Sequence, residues 1–116
     1  MSAPIVHFEI GSTNSAELAK FYERTLGWKF MQAGATAVID NGGAGGPTGM
    51  LNALGHPPDN YILIYAEVAD IEAAIAKAIE AGGSKIVGPA PLPDGRRFAW
   101  IKDTAGNVFG LLTPMR

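Results

Sequence analysis

The chain has 116 residues, of which 47% are hydrophobic and 17% charged, a composition typical of one soluble globular domain. A formal net charge of -2, with nine scattered lysines and arginines, argues against nucleic acid as a partner. The lack of cysteine excludes disulfides, thiolate metal sites and cysteine nucleophiles, and we expect a cytoplasmic protein. With no signal-peptide pattern and no long apolar run, we expect no membrane partner.

The first half of the chain predicts a strand, a helix and three further strands. The stretch IVHFEI alternates apolar and polar residues as a strand does, which places His7 and Glu9 on one face. Asn14 is the predicted helix cap and Gly27 the predicted helix stop. The apolar stripe of this helix comprises Leu18, Phe21, Tyr22 and Leu26. The strands that follow have the sequences WKFMQ, TAVID and GMLNAL.

The second half predicts the same order of elements. The strand YILIYAEV comes first, and Asp70 is the predicted cap of the helix that follows. Gly82 and Gly83 end this helix. Its buried stripe comprises Ile71, Ala74, Ile75, Ala78 and Ile79. The remaining strands have the sequences SKIVG, RFAWIKD and NVFGLL.

Sliding one half onto the other by about 56 positions reveals an internal repeat. His7 then meets Leu63, Glu9 meets Tyr65, and Gly11 meets Glu67. We predict a single domain over residues 1–116, with module one at about 4–54, a proline-containing linker at about 55–60 and module two at about 61–113.

The predicted fold class is α+β: two βαβββ modules form a curled mixed sheet with the helices outside. Each module leaves one sheet face without a helix, and we expect the two bare faces to form a trough that binds a small ligand. The alternative fold is a ferredoxin-like βαββαβ domain. That fold has fewer strands after each helix than this sequence predicts, so we favour the two βαβββ modules.

Four stretches give the chain a resemblance to a known family. They are VHFEI, KFYERTLGWKF, AEVADIEAAIAKAIEAGG and FAWIKDTAGNVFGLL. With these stretches, the sequence resembles the vicinal oxygen chelate superfamily, which includes glyoxalase I, bleomycin-resistance proteins and extradiol dioxygenases. In two-module relatives a second chain often completes the trough, so the resemblance implies a homodimer.

The resemblance also implies where a metal would bind, on the first and last strands of each module. His7 matches one of these positions, whereas Leu63 matches its counterpart. The last-strand positions fall on Gly110 in module two and on Gly49 or Met50 in module one. Because only His7 is a suitable ligand, we expect no divalent metal cofactor.

His7 therefore has three possible roles: a metal ligand, a polar wall or acid/base group of an organic-ligand pocket, or a histidine without function. His7, Glu9 and Glu67 are the candidate catalytic residues, because crowded carboxylates and a histidine can transfer protons. Trp100, or its neighbours Ala99 and Ile101, should line the trough. The predicted ligand pocket comprises His7, Glu9, Met50, Leu63, Tyr65, Glu67, Trp100 and Gly110.

The favoured function is the metal-independent binding of a small organic molecule. The alternative is a glyoxalase-like lyase or isomerase in which His7, Glu9 or Glu67 moves protons. The glycine-rich stretch NGGAGGPTGM lacks the Lys-Ser/Thr ending of a phosphate loop, and we interpret it as a hairpin loop at the pocket mouth.

Overall fold

The structure is a computed structural model that describes residues 2–40 and 46–115. Residues 41–45, the centre of the predicted glycine-rich hairpin loop, lie outside this part of the chain. By its internal contacts the chain divides into two compact units. We call His7–Leu63 the His7 unit, and Met1–Val6 with Ile64–Arg116 the Trp100 unit.

The first half of the chain folds as the sequence predicts, into a strand, a helix and three strands. These elements are β1 (Ile5–Gly11), α1 (Ser15–Leu26), β2 (Lys29–Ala33), β3 (Thr36–Asp40) and β4 (Thr48–Asn52). Strands β2, β3 and β4 pair antiparallel in sequence order, and β4 then pairs parallel with β1. The result is a mixed sheet of order β2-β3-β4-β1.

The second half repeats this topology. Its elements are β5 (Tyr61–Glu67), α2 (Ile71–Glu80), β6 (Ser84–Pro91), β7 (Arg97–Lys102) and β8 (Val108–Leu112). Strands β6, β7 and β8 pair antiparallel, and β8 pairs parallel with β5. Two helices and mixed strand pairing in βαβββ order confirm the predicted α+β class.

Helix α1 begins and ends where the sequence predicts. The Asn14 side chain accepts a hydrogen bond from the Glu17 backbone N–H at 3.1 Å, and Gly27 adopts a left-handed φ of 72°. The predicted apolar stripe is only half right. Leu18 and Tyr22 pack against a core formed by Ala19, Ala37 and Leu51. Phe21 and Leu26 are 57% and 52% exposed, whereas the buried positions of this helix are Ser15 and Ala19.

Helix α2 is capped by Asp70, whose side chain accepts a hydrogen bond from the Ala73 backbone N–H at 3.0 Å. Ile71 and Ile75 pack on Ala99 and Leu111 in the core. The prediction that Ile79 is buried is wrong, since this side chain is 54% exposed. The last turn of the helix extends past the buried cluster, so that the stripe ends one turn earlier than its periodicity suggests.

Candidate functional site

Strand register divides the His7 unit into two faces. His7 lies beside Thr48, Glu9 beside Met50 and Gly11 beside Asn52. Cross-strand partners point to the same side of a sheet, so these side chains share one face. The intervening positions face the other way, where Leu51 packs in the core with α1. The structure thus brings His7, Glu9 and Met50 together on the face that carries no helix.

Glu9 is the buried carboxylate of this face, with only 2% of its surface exposed. The Tyr61 hydroxyl donates a hydrogen bond to Oε2 of Glu9, and the Asn52 amide donates to the same oxygen at 3.4 Å. Asn52 in turn accepts from the Thr36 hydroxyl at 3.0 Å. A buried carboxylate is stabilised only when donors surround it, and these three side chains supply a connected set.

The Tyr61 ring lies directly over Gly11. A Cβ atom at Gly11 would stand 1.9 Å from Cε1 of Tyr61, so no residue with a side chain fits beneath the ring. Burial raises the pKa of Tyr61 above its ordinary value, and the hydrogen bond to Glu9 and the charge of Glu9 raise this pKa further. Tyr61 is therefore held as a neutral phenol that donates to Glu9.

His7 lies one row away from Glu9 on the same face. Its Nδ1 is 2.6 Å from the hydroxyl oxygen of Thr48, and the ring is partly exposed. The second histidine, His56, is separate from this face. It lines a groove of about 250 Å³ together with Ser12, Thr13 and Asp59, and its Nδ1 lies 2.8 Å from the Pro57 carbonyl oxygen.

A row of apolar side chains crosses the same face beside Glu9. Met31 pairs with Val38, Val38 pairs with Met50, and Met50 pairs with Glu9. Met31 is 65% exposed and Val38 is 41% exposed. The helix-free face of the His7 unit therefore includes an exposed apolar row that ends at a buried carboxylate.

In the Trp100 unit, the corresponding row is aromatic. Tyr65, Gly110 and Trp100 lie side by side on β5, β8 and β7. The indole Nε1 of Trp100 donates to the Tyr65 hydroxyl at 2.8 Å. A Cβ atom at Gly110 would stand 2.3 Å from Cδ2 of Tyr65. The Tyr65 ring thus fills the space that a side chain at position 110 would need.

Register also shows which residues of β7 share this row. Phe98 pairs with Leu112 and Trp100 with Gly110, whereas Ala99 packs in the core with α2. Ile101 packs against the same core, so Trp100 rather than Ala99 or Ile101 lies on the helix-free face.

The two remaining predicted pocket residues lie on β5. Glu67 is partly buried and pairs with Leu112, so that it shares the face of Tyr65. Leu63 is 3% exposed, and strand alternation puts it on the face of Tyr61 and Tyr65.

The parallel strand pairs identify which residue of β4 corresponds to Gly110. The repeat matches Glu9 with Tyr65, and their strand partners are Met50 and Gly110. Met50 is thus the equivalent residue. Gly49 is not, because it faces the other way, beneath the Phe8 ring, with 2.1 Å between its would-be Cβ and Cζ of Phe8.

The four positions that the resemblance assigns to metal ligands are therefore His7, Leu63, Met50 and Gly110. Only His7 offers the nitrogen or oxygen donor that a divalent ion needs, and a stable site takes about three such protein ligands. Within residues 2–40 and 46–115, no three His, Cys, Asp or Glu side chains are grouped so that they could hold a metal ion. The residues present do not fit the metal.

Two βαβββ repeats, each with its first and last strands paired in parallel, define a class of paired-module α+β proteins. The family described as Glyoxalase/Bleomycin resistance protein/Dioxygenase superfamily matches residues 4–111. The chain belongs to this superfamily.

Relatives with similar sequences bear glyoxylase names. A glyoxylase-like domain-containing protein of Didymella fabae is 30% identical over a gapped alignment of 119 positions, which covers 90% of this chain and 89% of that protein. CFP32 of Mycobacterium tuberculosis, provisionally named a glyoxylase, is 42% identical over 55 residues, or 47% of this chain. The match spans only 21% of the length of CFP32.

Solved structures share the fold at low sequence identity. A variant of Streptomyces coelicolor methylmalonyl-CoA epimerase, in complex with 2-nitronate-propionyl-CoA, has a TM-score of 0.71 at 18% identity and covers 99% of this chain and 100% of its own. The hypothetical protein BH1468 of Bacillus halodurans C-125 has a TM-score of 0.74 at 19% identity, and the match covers 100% of this chain and 97% of that protein. In the part of the chain that the structure describes, neither helix has the length and apolarity to cross a bilayer.

Sequence reasoning missed several side chains on the helix-free faces. Tyr61 and Asn52 reach Glu9 from two other strands, and Thr36 supports Asn52 from a third. Met31 and Val38 join Met50 only through cross-strand register. The available signal was the alternation of β3, which places Thr36, Val38 and Asp40 on one face. Sequence alone does not show which residues of a neighbouring strand stand beside them.

Proposed function

We propose that this chain binds a small organic molecule against the helix-free strand faces and does so without a divalent metal ion. The proposed pocket residues are His7, Glu9, Met50, Leu63, Tyr65, Glu67, Trp100 and Gly110. The proposal rests mainly on one observation, the Tyr65 ring that lies over Gly110.

This observation matters because a carboxylate ligand at position 110 needs both a side chain and room for it. Gly110 has no side chain, and the Tyr65 ring occupies the room. The Trp100 indole holds the ring there through its hydrogen bond to the Tyr65 hydroxyl. In place of a metal-binding carboxylate, this row presents an aromatic surface, which favours the apolar part of an organic ligand.

The relatives support a small-molecule ligand. Methylmalonyl-CoA epimerase, which has the same fold, binds methylmalonyl-CoA in one solved structure. An acyl-CoA ester therefore belongs in a ligand screen for this chain, beside simpler aromatic compounds.

The test is the metal content of untagged protein expressed in medium supplemented with zinc, nickel, manganese, iron and cobalt. After purification without chelators, elemental analysis should find each metal at well below one ion per chain. One tightly held ion per chain would refute the metal-independent function. A His56→Ala variant, purified in parallel, is the control for metal that binds at the surface through an exposed histidine.

A second candidate function is a glyoxalase-like lyase or isomerase. The observation that favours it is the buried Glu9 carboxylate, which Tyr61 and Asn52 orient with two hydrogen bonds. Turnover of the hemithioacetal of methylglyoxal and glutathione should then fall sharply in Glu9→Gln, His7→Ala or Glu67→Gln. Activity that survives in all three variants would exclude these residues as the acid/base group.

We further propose that the protein is a cytoplasmic homodimer. Exposed isoleucines on the first strand of each module support an interface, since Ile5 is 58% exposed and Ile62 is 72% exposed. Sedimentation velocity at several concentrations tests the dimer, and a monomer at every concentration would contradict it.

A further inference from the structure

The helix-free face of the His7 unit is arranged in three rows that run across its strands. The middle row is apolar and runs from Met31 through Val38 to Met50, where it meets Glu9. The row on one side ends at His7 and Thr48, and the row on the other contains Thr36 and Asn52. On β4 the apolar strip is thus flanked by polar side chains, because Thr48 and Asn52 lie on either side of Met50.

The middle row has the shape and chemistry of a platform for a flat ring. Met31 and Val38 are exposed and Met50 is partly exposed, so their side chains are available to a ligand. Methionine side chains are flexible and polarisable, and they make favourable contacts with aromatic rings. Such a surface adapts to rings of different outline.

One end of the platform carries a negative charge. Glu9 stands next to Met50, at the spacing of adjacent strands, about 5 Å. Because Glu9 is 2% exposed, water screens its charge poorly, and the charge acts on a group that lies over Met50 without direct contact.

We propose that the ligand has a flat apolar ring that lies on Met31, Val38 and Met50, and a cationic group that lies toward Glu9. This inference rests on the small-molecule function proposed above and assigns its ligand class. Met31 and Val38 become specificity-determining residues, and the negative charge of Glu9 at the end of the platform selects against ligands that carry a carboxylate there.

Three probes that share the same naphthalene ring system but differ in their polar group test the inference: 2-naphthylmethylamine, 2-naphthylmethanol and 2-naphthoate. The protein is labelled at its four methionine methyl groups with ¹³C and titrated with each probe by NMR. We expect the Met31 and Met50 methyl signals to shift and that of Met115 to stay in place. The amine should bind about tenfold more tightly than the carboxylate.

Variants separate the ring contact from the charge. Met31→Ala should weaken the binding of the amine by about tenfold. The matched control is Met115→Ala, at a residue of the Trp100 unit that is 62% exposed, and this variant should bind the amine with unchanged affinity. Glu9→Gln should remove the preference for the amine. Should Glu9→Gln fail to fold, Val38→Lys at an exposed position should reverse the preference toward the carboxylate.

Several outcomes would overturn the inference. Equal binding of the amine and the carboxylate would do so, as would no binding of any probe. Met31 and Met50 signals that shift with protein concentration alone would also do so, because they would show that a second copy of the chain covers this face. If the probes bind but shift signals of the Trp100 unit only, the inference fails while the small-molecule function stands. If the protein holds stoichiometric metal, that function fails whatever the probes do.

Discussion

The hydroxyl of Tyr61 donates a hydrogen bond to the carboxylate of Glu9, although the two residues lie 52 positions apart in the chain. The contact requires Gly11, because the Tyr61 ring lies where a side chain at position 11 would be. Three properties follow from this one relationship: a buried carboxylate that keeps a donor, a tyrosine that stays protonated, and a glycine that has no substitute.

Tyr61→Phe should destabilise the fold. The ring over Gly11 is retained, but Glu9 loses a donor while it stays buried, at a cost of about 1–3 kcal/mol. The free energy of unfolding in urea measures this cost. Tyr22→Phe is the matched control, because Tyr22 stacks on Trp28 through its ring at a centroid distance of 5.3 Å. The control should change stability by less than about 0.5 kcal/mol, and equal effects of the two variants would contradict the prediction.

Alkaline pH should reduce the contribution of Tyr61 to the free energy of unfolding. The pKa of Tyr61 in the folded chain is raised above its ordinary value of 10.0, chiefly by burial. As pH rises past this ordinary value, the unfolded chain loses the phenolic proton while the folded chain keeps it, so stability falls. The contribution is fully present below about pH 10 and declines above it. The stability advantage of the native chain over Tyr61→Phe should therefore shrink between about pH 9 and 11, and an advantage that grows with pH would show that the sign is wrong.

Gly110→Ala should displace the Tyr65 ring and break its hydrogen bond to Trp100, since the new Cβ would stand 2.3 Å from the ring. We expect a loss of about 1–3 kcal/mol in the free energy of unfolding. In a Tyr65→Ala background the space is open, and the same glycine substitution should cost much less. Additive effects of the two substitutions would mean that the ring and the glycine are not coupled.

Ile75 and Ile79 are one helical turn apart, yet they should respond very differently to truncation. Ile75 is 7% exposed and packs in the core, so Ile75→Ala should cost about 2–5 kcal/mol. Ile79 is 54% exposed, and Ile79→Ala should change stability by less than about 1 kcal/mol. Thermal unfolding of the two variants measures the contrast, and similar losses would place Ile79 in the core.

The elements of the fold could be predicted because their signals are local. Asn14 and Asp70 are capping residues just before apolar helical patterns, and both caps accept the hydrogen bonds expected of them. The exposure of Ile79 could not be predicted, since helical periodicity does not show where the partner surface ends.

The helix-free faces were predictable only in part. Strand alternation puts His7 and Glu9 on one face without any knowledge of the neighbouring strands. The contact between Tyr61 and Glu9, and the row from Met31 to Met50, depend on non-local strand pairing and register. Register is set by how the whole sheet packs, and no pattern within a single strand encodes it.

The most direct test is a native mass spectrum of the untagged protein, purified gently from metal-supplemented medium. We predict a dimer that carries no stoichiometric metal and that gains the mass of 2-naphthylmethylamine when this probe is added. A spectrum with one zinc, nickel, manganese or iron ion per chain, and with no added mass from the probe, would contradict metal-independent binding of a small organic molecule.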